Sequence, residues 1–346
     1  MRIVLVTDAW HPQVNGVVRT WTAMLGLLRE WGHDVLVVSP EGSRTIPAPS
    51  EPDLRLCIQP GRQLRRVLGD LVPDALHIAT EGPLGLAARR MALRRGWRFT
   101  TSFHTMFPEY LEARMGIPAS IPWRFMRWFH RPSQQVLVPT PTVRDIVAAR
   151  GLQNLKVWSR GVDGKKFHPV DGDAFAHLPR PIWLSVGRVA REKNLDAFLS
   201  LDLPGSKVVA GGGPDEARLH KKFPDAHFLG PQADDHLPSY YSAADVFVFP
   251  SLTDTFGLVM LEAMACGTPV AAFDTEAPRA VIRNGVTGFI DSDLARACLQ
   301  ARTLDRAAVR AHALTRTWDA IAHDLLSALV PIDGRAAWPR EGIQGA

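Results

Sequence analysis

A chain of 346 residues with 46% hydrophobic and 22% charged residues has room for two domains of ordinary size and the make-up of a soluble globular protein. No apolar run approaches the ~20 residues needed to cross a bilayer, which excludes a helical membrane span. The net charge of +5 is unevenly held: residues 1–168 carry 23 Lys and Arg against 13 Asp and Glu, whereas residues 169–346 carry 17 against 22. A basic first half points to an anionic partner, whether phosphate, lipid surface or nucleic acid. The first Lys is Lys156; a codon bias towards Arg accounts for that, but not for the excess of charge. Cys57, Cys266 and Cys298 lie far apart and fit no metal spacing, as expected in a reducing compartment.

In chain order, Arg2 to Thr7 reads as a buried strand rather than a signal peptide. A loop from Asp8 to Gly16 follows, then a helix from about Val17 to Trp31, broken at Gly32, and a second strand from Asp34 to Ser39. Strand, helix and strand at this spacing predict a parallel sheet. Asn15 and Gly16 at the helix entry let backbone approach a ligand, and a helix N-terminus suits phosphate. Gly42 to Pro52, rich in Ser, Pro and Glu, reads as a mobile loop. Leu54–Ile58, Ala75–Ile78, Phe99–Ser102 and Gln135–Val138 read as further strands. Helices over about 61–71, 83–95, 119–131 and 141–150 fill the spaces. His104 falls just past a strand end, where open α/β sheets bind ligands.

A linker runs from Trp158 through Asp171 to Pro181. The strand Ile182–Val186 then leads into Gly187, Arg188 and Lys193, with a helix from about Asn194. Two cations around such a loop can neutralise a diphosphate. Val208–Ala210 precedes Gly211-Gly212-Gly213-Pro214, which is not the glycine pattern of a nicotinamide site. Ala226–Leu229 reads as a strand ending at Gly230. The apolar strand Val246–Phe249 enters a loop carrying Asp254, and Gly257, Leu258 and Val259 open a helix reaching about Cys266. The free amides of that first turn favour phosphate, and Glu262 lies within the helix. A buried strand–loop–helix with a solvated Glu is the simpler alternative. Strands at Val270–Phe273 and Thr287–Ile290, helices after Thr275 and Asp293, and a last amphipathic helix from Thr317 to about Leu329 complete the chain. Residues after Pro331 read as a frayed tail. The triplets Asp171-Gly172-Asp173 and Asp291-Ser292-Asp293 tempt a metal reading, but one sits in the linker and the other caps a helix; no metal is expected.

The pattern acidic-x-Phe-Gly followed by Glu262-Ala263, the Gly187-Arg188 to Lys193-Asn194 stretch, the Asn15-Gly16 loop and His104 together resemble family-4-type retaining glycosyltransferases. The family usually has Glu where this chain has Asp254, one methylene shorter. The resemblance implies a GT-B architecture: an α/β fold of two Rossmann-like domains facing a cleft, with a C-terminal helix crossing back to the first domain. The implied bounds are 1–170 for an acceptor domain, 180–314 for a nucleotide-sugar domain, 315–330 for the returning helix and 331–346 for the tail. It also implies that Gly16, Arg188, Lys193 and the amides at Gly257, Leu258 and Val259 meet the donor diphosphate. Gly230 would hold the base edge, Glu262 the ribose and Asp254 the sugar hydroxyls, with His104 near the reacting carbon.

The implied function is retaining, metal-independent hexosyl transfer from a nucleotide-diphospho-sugar, of the GDP-mannose or UDP-hexose type, to a lipid or lipid-linked glycan, with no cofactor and no nucleic acid. The alternatives are a nucleotide-sugar epimerase on a related scaffold, or a non-enzymatic module binding an anionic surface or RNA. The expected location is cytoplasmic, peripheral at the inner face of the cell membrane. The stretch Ile121 to Arg131 motivates an anionic membrane surface as partner, with Arg124, Arg127 and Arg131 on one side of a helix and Phe125, Trp128 and Phe129 largely on the other. Asn15 and Tyr110 join this acceptor or membrane set.

Overall fold

Where the apolar residues fall decides the elements. Short, mostly apolar runs form the central strands, as in parallel sheets covered on both faces; Ala75–Ile78, which includes His77, and Val246–Phe249 are buried along their whole length. The computed structural model describes residues 1–333 apart from Val14, 49–53 and Thr255, and without the side chains of Tyr110 and residues 113–115. The chain divides into two units. One is Met1–Ser159 with the chain from Ala322 on, and the other is Arg160–Ile321.

The first unit contains β1 (Arg2–Val6), α1 (Gly16–Glu30), β2 (Asp34–Val38), β3 (Thr45–Pro47), β4 (Arg55–Cys57), α2 (Pro60–Leu68), β5 (Ala75–Ile78), α3 (Pro83–Arg95), β6 (Thr100–Ser102), α4 (Phe107–Met115), α5 (Ser120–His130), β7 (Gln135–Val138), α6 (Pro141–Ala149) and β8 (Leu155–Val157). Six strands pair in parallel in the order β2-β1-β5-β6-β7-β8. The winding reverses between β1 and β5, so the loops after these two strands diverge and leave a crevice at the strand ends. Helix α1 forms because Val18, Trp21, Met24, Leu25 and Leu28 fall on one side and are buried.

The second unit contains β9 (Ile182–Val186), a 3-10 turn (Arg191–Lys193), α7 (Leu195–Leu199), β10 (Ser206–Ala210), α8 (Glu216–Lys222), β11 (His227–Phe228), α9 (Leu237–Ala243), β12 (Val246–Phe249), α10 (Leu258–Ala265), β13 (Val270–Phe273), α11 (Glu276–Val281), β14 (Gly288–Asp291), α12 (Leu294–Ala301) and α13 (Arg306–Ala313). Helix α14 (Trp318–Ala328) begins in this unit and continues into the first. The parallel order is β11-β10-β9-β12-β13-β14, with its reversal between β9 and β12. Both units are thus Rossmann-like. Among the described residues no helix is long and apolar enough to cross a membrane.

Several expectations need correction. The stretch Gly42–Pro52 is not all loop: β3 lies within it and pairs antiparallel with β4, Ile46 opposite Leu56; residues 49–52 fall outside the described residues. The first unit ends at Ser159 rather than 170, because Val162 N–H donates to Arg316 O at 2.9 Å and Val162, Phe167 and Phe175 pack into the second unit's core. The tail is not frayed from its start: Ile332 is buried, its N–H donates to Asp74 O at 3.1 Å, and its carbonyl accepts from Arg98 N–H at 3.2 Å. Residues 334–346 lie outside the described residues. Helix α4, just after His104, had no sequence expectation.

A buried histidine couples the first sheet to pH. His77 on β5 sits between Thr100 and Ser102, with Nδ1 and Nε2 each 2.8 Å from a hydroxyl oxygen. Burial pushes it down to about 3, so it folds neutral. The unfolded chain takes up this proton near pH ~6.5. Its contribution to stability is therefore full above that value and is lost progressively as pH falls from there towards 3. Denaturant titrations at neutral and acid pH should show this loss. The variant His77→Asn should flatten the slope, and an unchanged slope would assign the titration to another group.

Candidate functional site

Because β9 and β12 are neighbours at the reversal point, the loops after them emerge side by side at the strand ends. Lys193 Nζ donates to both carboxylate oxygens of Asp254, at 2.7 and 2.9 Å. Asn194, in the left-handed region at φ 53°, donates from Nδ2 to Pro250 O at 3.1 Å, and Ser251 Oγ donates to Glu192 O at 3.2 Å. Burial opposes the charge on Asp254. The charge and hydrogen bonds of Lys193, with help from Ser251 and the Arg188 charge, outweigh burial and hold the carboxyl below the usual aspartate range. Arg188 forms an ion pair with Glu192 within the same loop.

The glycine run after β10 has a packing reason. Gly211 lies at φ 141°, and a Cβ there would stand 1.8 Å from Gly187 O. Its N–H donates to Gly230 O at 2.8 Å, while Gly187 and Val189 donate to Ala210 O and Gly212 O at 3.0 and 2.9 Å. The Arg188 loop is moulded against this run, and Gly230, at φ 68°, is tied into it through its carbonyl.

Helix α10 starts after Gly257, whose φ of 79° and close approach to Phe249 and Met260 leave no room for a side chain. Among the described residues no side chain caps this helix, so the first-turn amides of Leu258 and Val259 lie beside the Asp254 loop. Glu262, further along, is buried, and Tyr241 Oη donates to its Oε2 at 3.1 Å. The loop region therefore combines two cations, helix amides and the carboxylates of Glu192, Asp254 and Glu262. Cations and amides can meet a diphosphate, and carboxylates accept from hydroxyls.

In the first unit Asn15 is committed differently from the acceptor contact expected of it. Its Oδ1 accepts from Val17 and Val18 N–H, both at 3.0 Å, so it caps α1 and takes up two of the amides that a ligand could use. Gly16 has open space beside it. His104 is buried, and its Nε2 accepts from Trp21 Nε1–H at 3.2 Å. An indole N–H only donates, so Nε2 holds a lone pair and Nδ1 carries the ring proton. Trp158 stands edge-on to the same imidazole. The side chain of Tyr110 lies outside the described residues.

Helix α5 divides differently from the expected arrangement. Trp123, Met126, Phe129 and His130 are buried. Trp128 does not join them: it is 52% exposed and shares the outer stripe with Ile121, Arg124 and Arg131. Arg127 is half-buried and donates to Arg150 O at 3.3 Å. The helix covers the sheet with one narrow edge, which leaves the indole outside.

Among the described residues no group of three or more His, Cys, Asp and Glu could hold a metal ion. Asp173 accepts from Arg180 and Phe175 N–H, Asp291 accepts from Arg296, and Asp293 caps α12. Sequence reasoning missed Glu192, Tyr241, Trp21 and Asp8. An Arg with Glu four positions on was a visible signal for the first. Asp8, just beyond β1, accepts from Leu84 and Gly85 N–H and from Thr80 Oγ1. Burial raises its pKa against those hydrogen bonds.

Two family models match the chain, Glycosyltransferase Family 4 over residues 14–166 and Glycosyl transferases group 1 over residues 180–303. A GDP-mannose-dependent alpha-mannosyltransferase of Mycobacterium tuberculosis (strain CDC 1551 / Oshkosh) is 30% identical over 371 aligned residues, covering 97% of this chain and 98% of the relative. An alpha-monoglucosyldiacylglycerol synthase of Streptococcus pneumoniae (strain ATCC BAA-255 / R6) is 27% identical, covering 87% of this chain and 78% of the relative. Sucrose-phosphate synthase from Thermosynechococcus elongatus shares the fold, with a TM-score of 0.73 at 22% identity over 94% of this chain and 97% of that one.

Proposed function

Since this chain belongs to the family-4 glycosyltransferases, enzymes acting with nucleotide sugars, we propose that it moves mannose from GDP-mannose, with retention, to a lipid or lipid-linked glycan. The observation that carries this reading is the meeting of Lys193, Asp254, Arg188 and the first turn of α10 at the ends of β9 and β12. The bond that breaks joins the sugar's anomeric carbon to a diphosphate oxygen. Charge grows on that oxygen, and fixed cations and amides aimed at it lower the barrier.

Arg188, Lys193 and the Leu258 and Val259 amides take the diphosphate. Gly230 borders the base, Glu262 accepts from the ribose and Asp254 from the sugar hydroxyls. The new bond forms on the face the diphosphate leaves, and the departing phosphate takes the acceptor's proton, so no protein base is required. The first unit binds the acceptor, at the inner face of an anionic membrane. The mannose donor is supported by the M. tuberculosis relative and the lipid acceptor by the S. pneumoniae one.

The reading requires no divalent metal. A panel of nucleotide sugars should show thermal stabilisation by GDP-mannose above the others, followed by mannose transfer to a lipid extract. Turnover should survive exhaustive chelation. Loss of all transfer on chelation, restored by magnesium or manganese, would overturn metal independence. Stabilisation by a UDP-sugar alone would reassign the donor.

A further inference from the structure

Helices α3 and α5 contain arginines and no acidic residue. A shallow groove between them is lined by Leu86, Arg89, Arg90, Leu93, Arg94 and Trp128. Arg89 braces it: its guanidinium carbon stands 4.0 Å from the centre of the Trp128 ring. Its Nε and Nη2 donate to Phe129 O and Trp128 O at 3.0 and 2.8 Å. The indole is therefore held outward rather than swept by solvent. Leu93 is 47% exposed and Ile121 60% exposed, and Arg90, Arg94, Arg124 and Arg131 are exposed around them. An apolar strip inside a basic frame, with no carboxylate on either helix, is matched by a surface with phosphates outside and hydrocarbon beneath. A nucleic acid would answer the arginines and leave Leu93 and Ile121 unmatched.

We propose that the α3–α5 seam, and not α5 alone, docks on an anionic lipid bilayer. Trp128, Leu93 and Ile121 reach the acyl boundary, and the four exposed arginines lie on headgroup phosphates. Docking brings the first unit to a lipid acceptor, so its purpose rests on the lipid-acceptor reading, but it is measured without turnover.

Vesicles of phosphatidylcholine with rising phosphatidylglycerol content should sediment the protein increasingly, and salt should release it. The double variant Arg90→Glu, Arg94→Glu, which leaves α5 untouched, should weaken binding by more than about thirtyfold. Leu93→Ser should weaken binding while leaving its salt dependence unchanged. Both variants should keep wild-type melting temperature and GDP affinity, which report folding and the second unit. Binding that ignores phosphatidylglycerol content, or that the double variant retains, overturns the proposal. Competition by single-stranded RNA at equal affinity does so too. Mannose transfer to the lipid extract separates the two readings: docking without transfer sinks the acceptor and keeps the seam, while transfer without docking sinks the seam alone.

Discussion

Replacing Lys193 by Ala is expected to lower kcat/KM by roughly 30- to 4,000-fold, the equivalent of about 2–5 kcal/mol of lost transition-state binding for a charge partner removed from a largely enclosed site. Two effects add. The diphosphate loses a cation where its leaving charge develops, and Asp254 loses the partner that holds it ionised against burial. Arg188→Ala should fall in the same range, because its guanidinium stands on the same loop as Lys193, where it pairs with Glu192 and its charge also acts on Asp254. The contribution of Lys193 to folding also has a pH signature. Asp254 has a depressed carboxyl in the folded chain, so its stabilising effect is present above the ordinary aspartate value of about 3.9 and is lost as pH falls through the lower folded value. The stability gap between wild type and Lys193→Ala should therefore be open at neutral pH and close in strong acid. Steady-state kinetics on both alanine variants decide the matter. Wild-type kcat/KM in both would remove the diphosphate from this loop.

The two acids should separate binding from turnover. Asp254→Asn is expected to lower kcat by about 100- to 1,000-fold, the size of effect seen when one preorganised polar group facing a reacting centre is removed, while GDP affinity changes by less than about tenfold. Glu262→Gln should instead weaken GDP binding by roughly 10- to 150-fold, since a hydrogen bond to a charged group contributes about 1.5–3 kcal/mol. The structure supports this asymmetry. Asp254 stands on the loop, paired to Lys193. Glu262 is buried inside α10, where the Tyr241 hydroxyl donates to its Oε2. Calorimetric titration with GDP beside initial-rate kinetics gives both quantities. Equal and mild effects from the two variants would make these carboxylates structural.

Much of this protein could be read from the chain alone, because the signals concerned are local. Apolar runs at Arg2–Val6, Ile182–Val186 and Val246–Phe249 announce strands buried on both faces. The break at Gly32 and the turn at Gly257 follow from backbone angles that glycine adopts without strain. The stretches carrying Arg188 and Lys193, and Asp254 and Glu262, point to phosphate and hydroxyl chemistry through their resemblance to the family's motifs, before any coordinate is known. Strand order is different in kind. A strand's sequence records that it is buried, but not beside which other strand, since every parallel neighbour offers the same ladder of hydrogen bonds. That β9 lies against β12 was settled by packing across the whole second unit, and only that adjacency brings Lys193 to Asp254. In the same way Trp21 reaches His104 from a helix on the far side of a loop, and fixes which ring nitrogen carries the proton. The helical period of Ile121–Arg131 showed an amphipathic surface but misplaced Trp128. A helix wheel counts angles about one axis, and which edge meets the sheet depends on how α5 settles between α3 and the strands beneath it, a matter of side-chain volume on three elements at once.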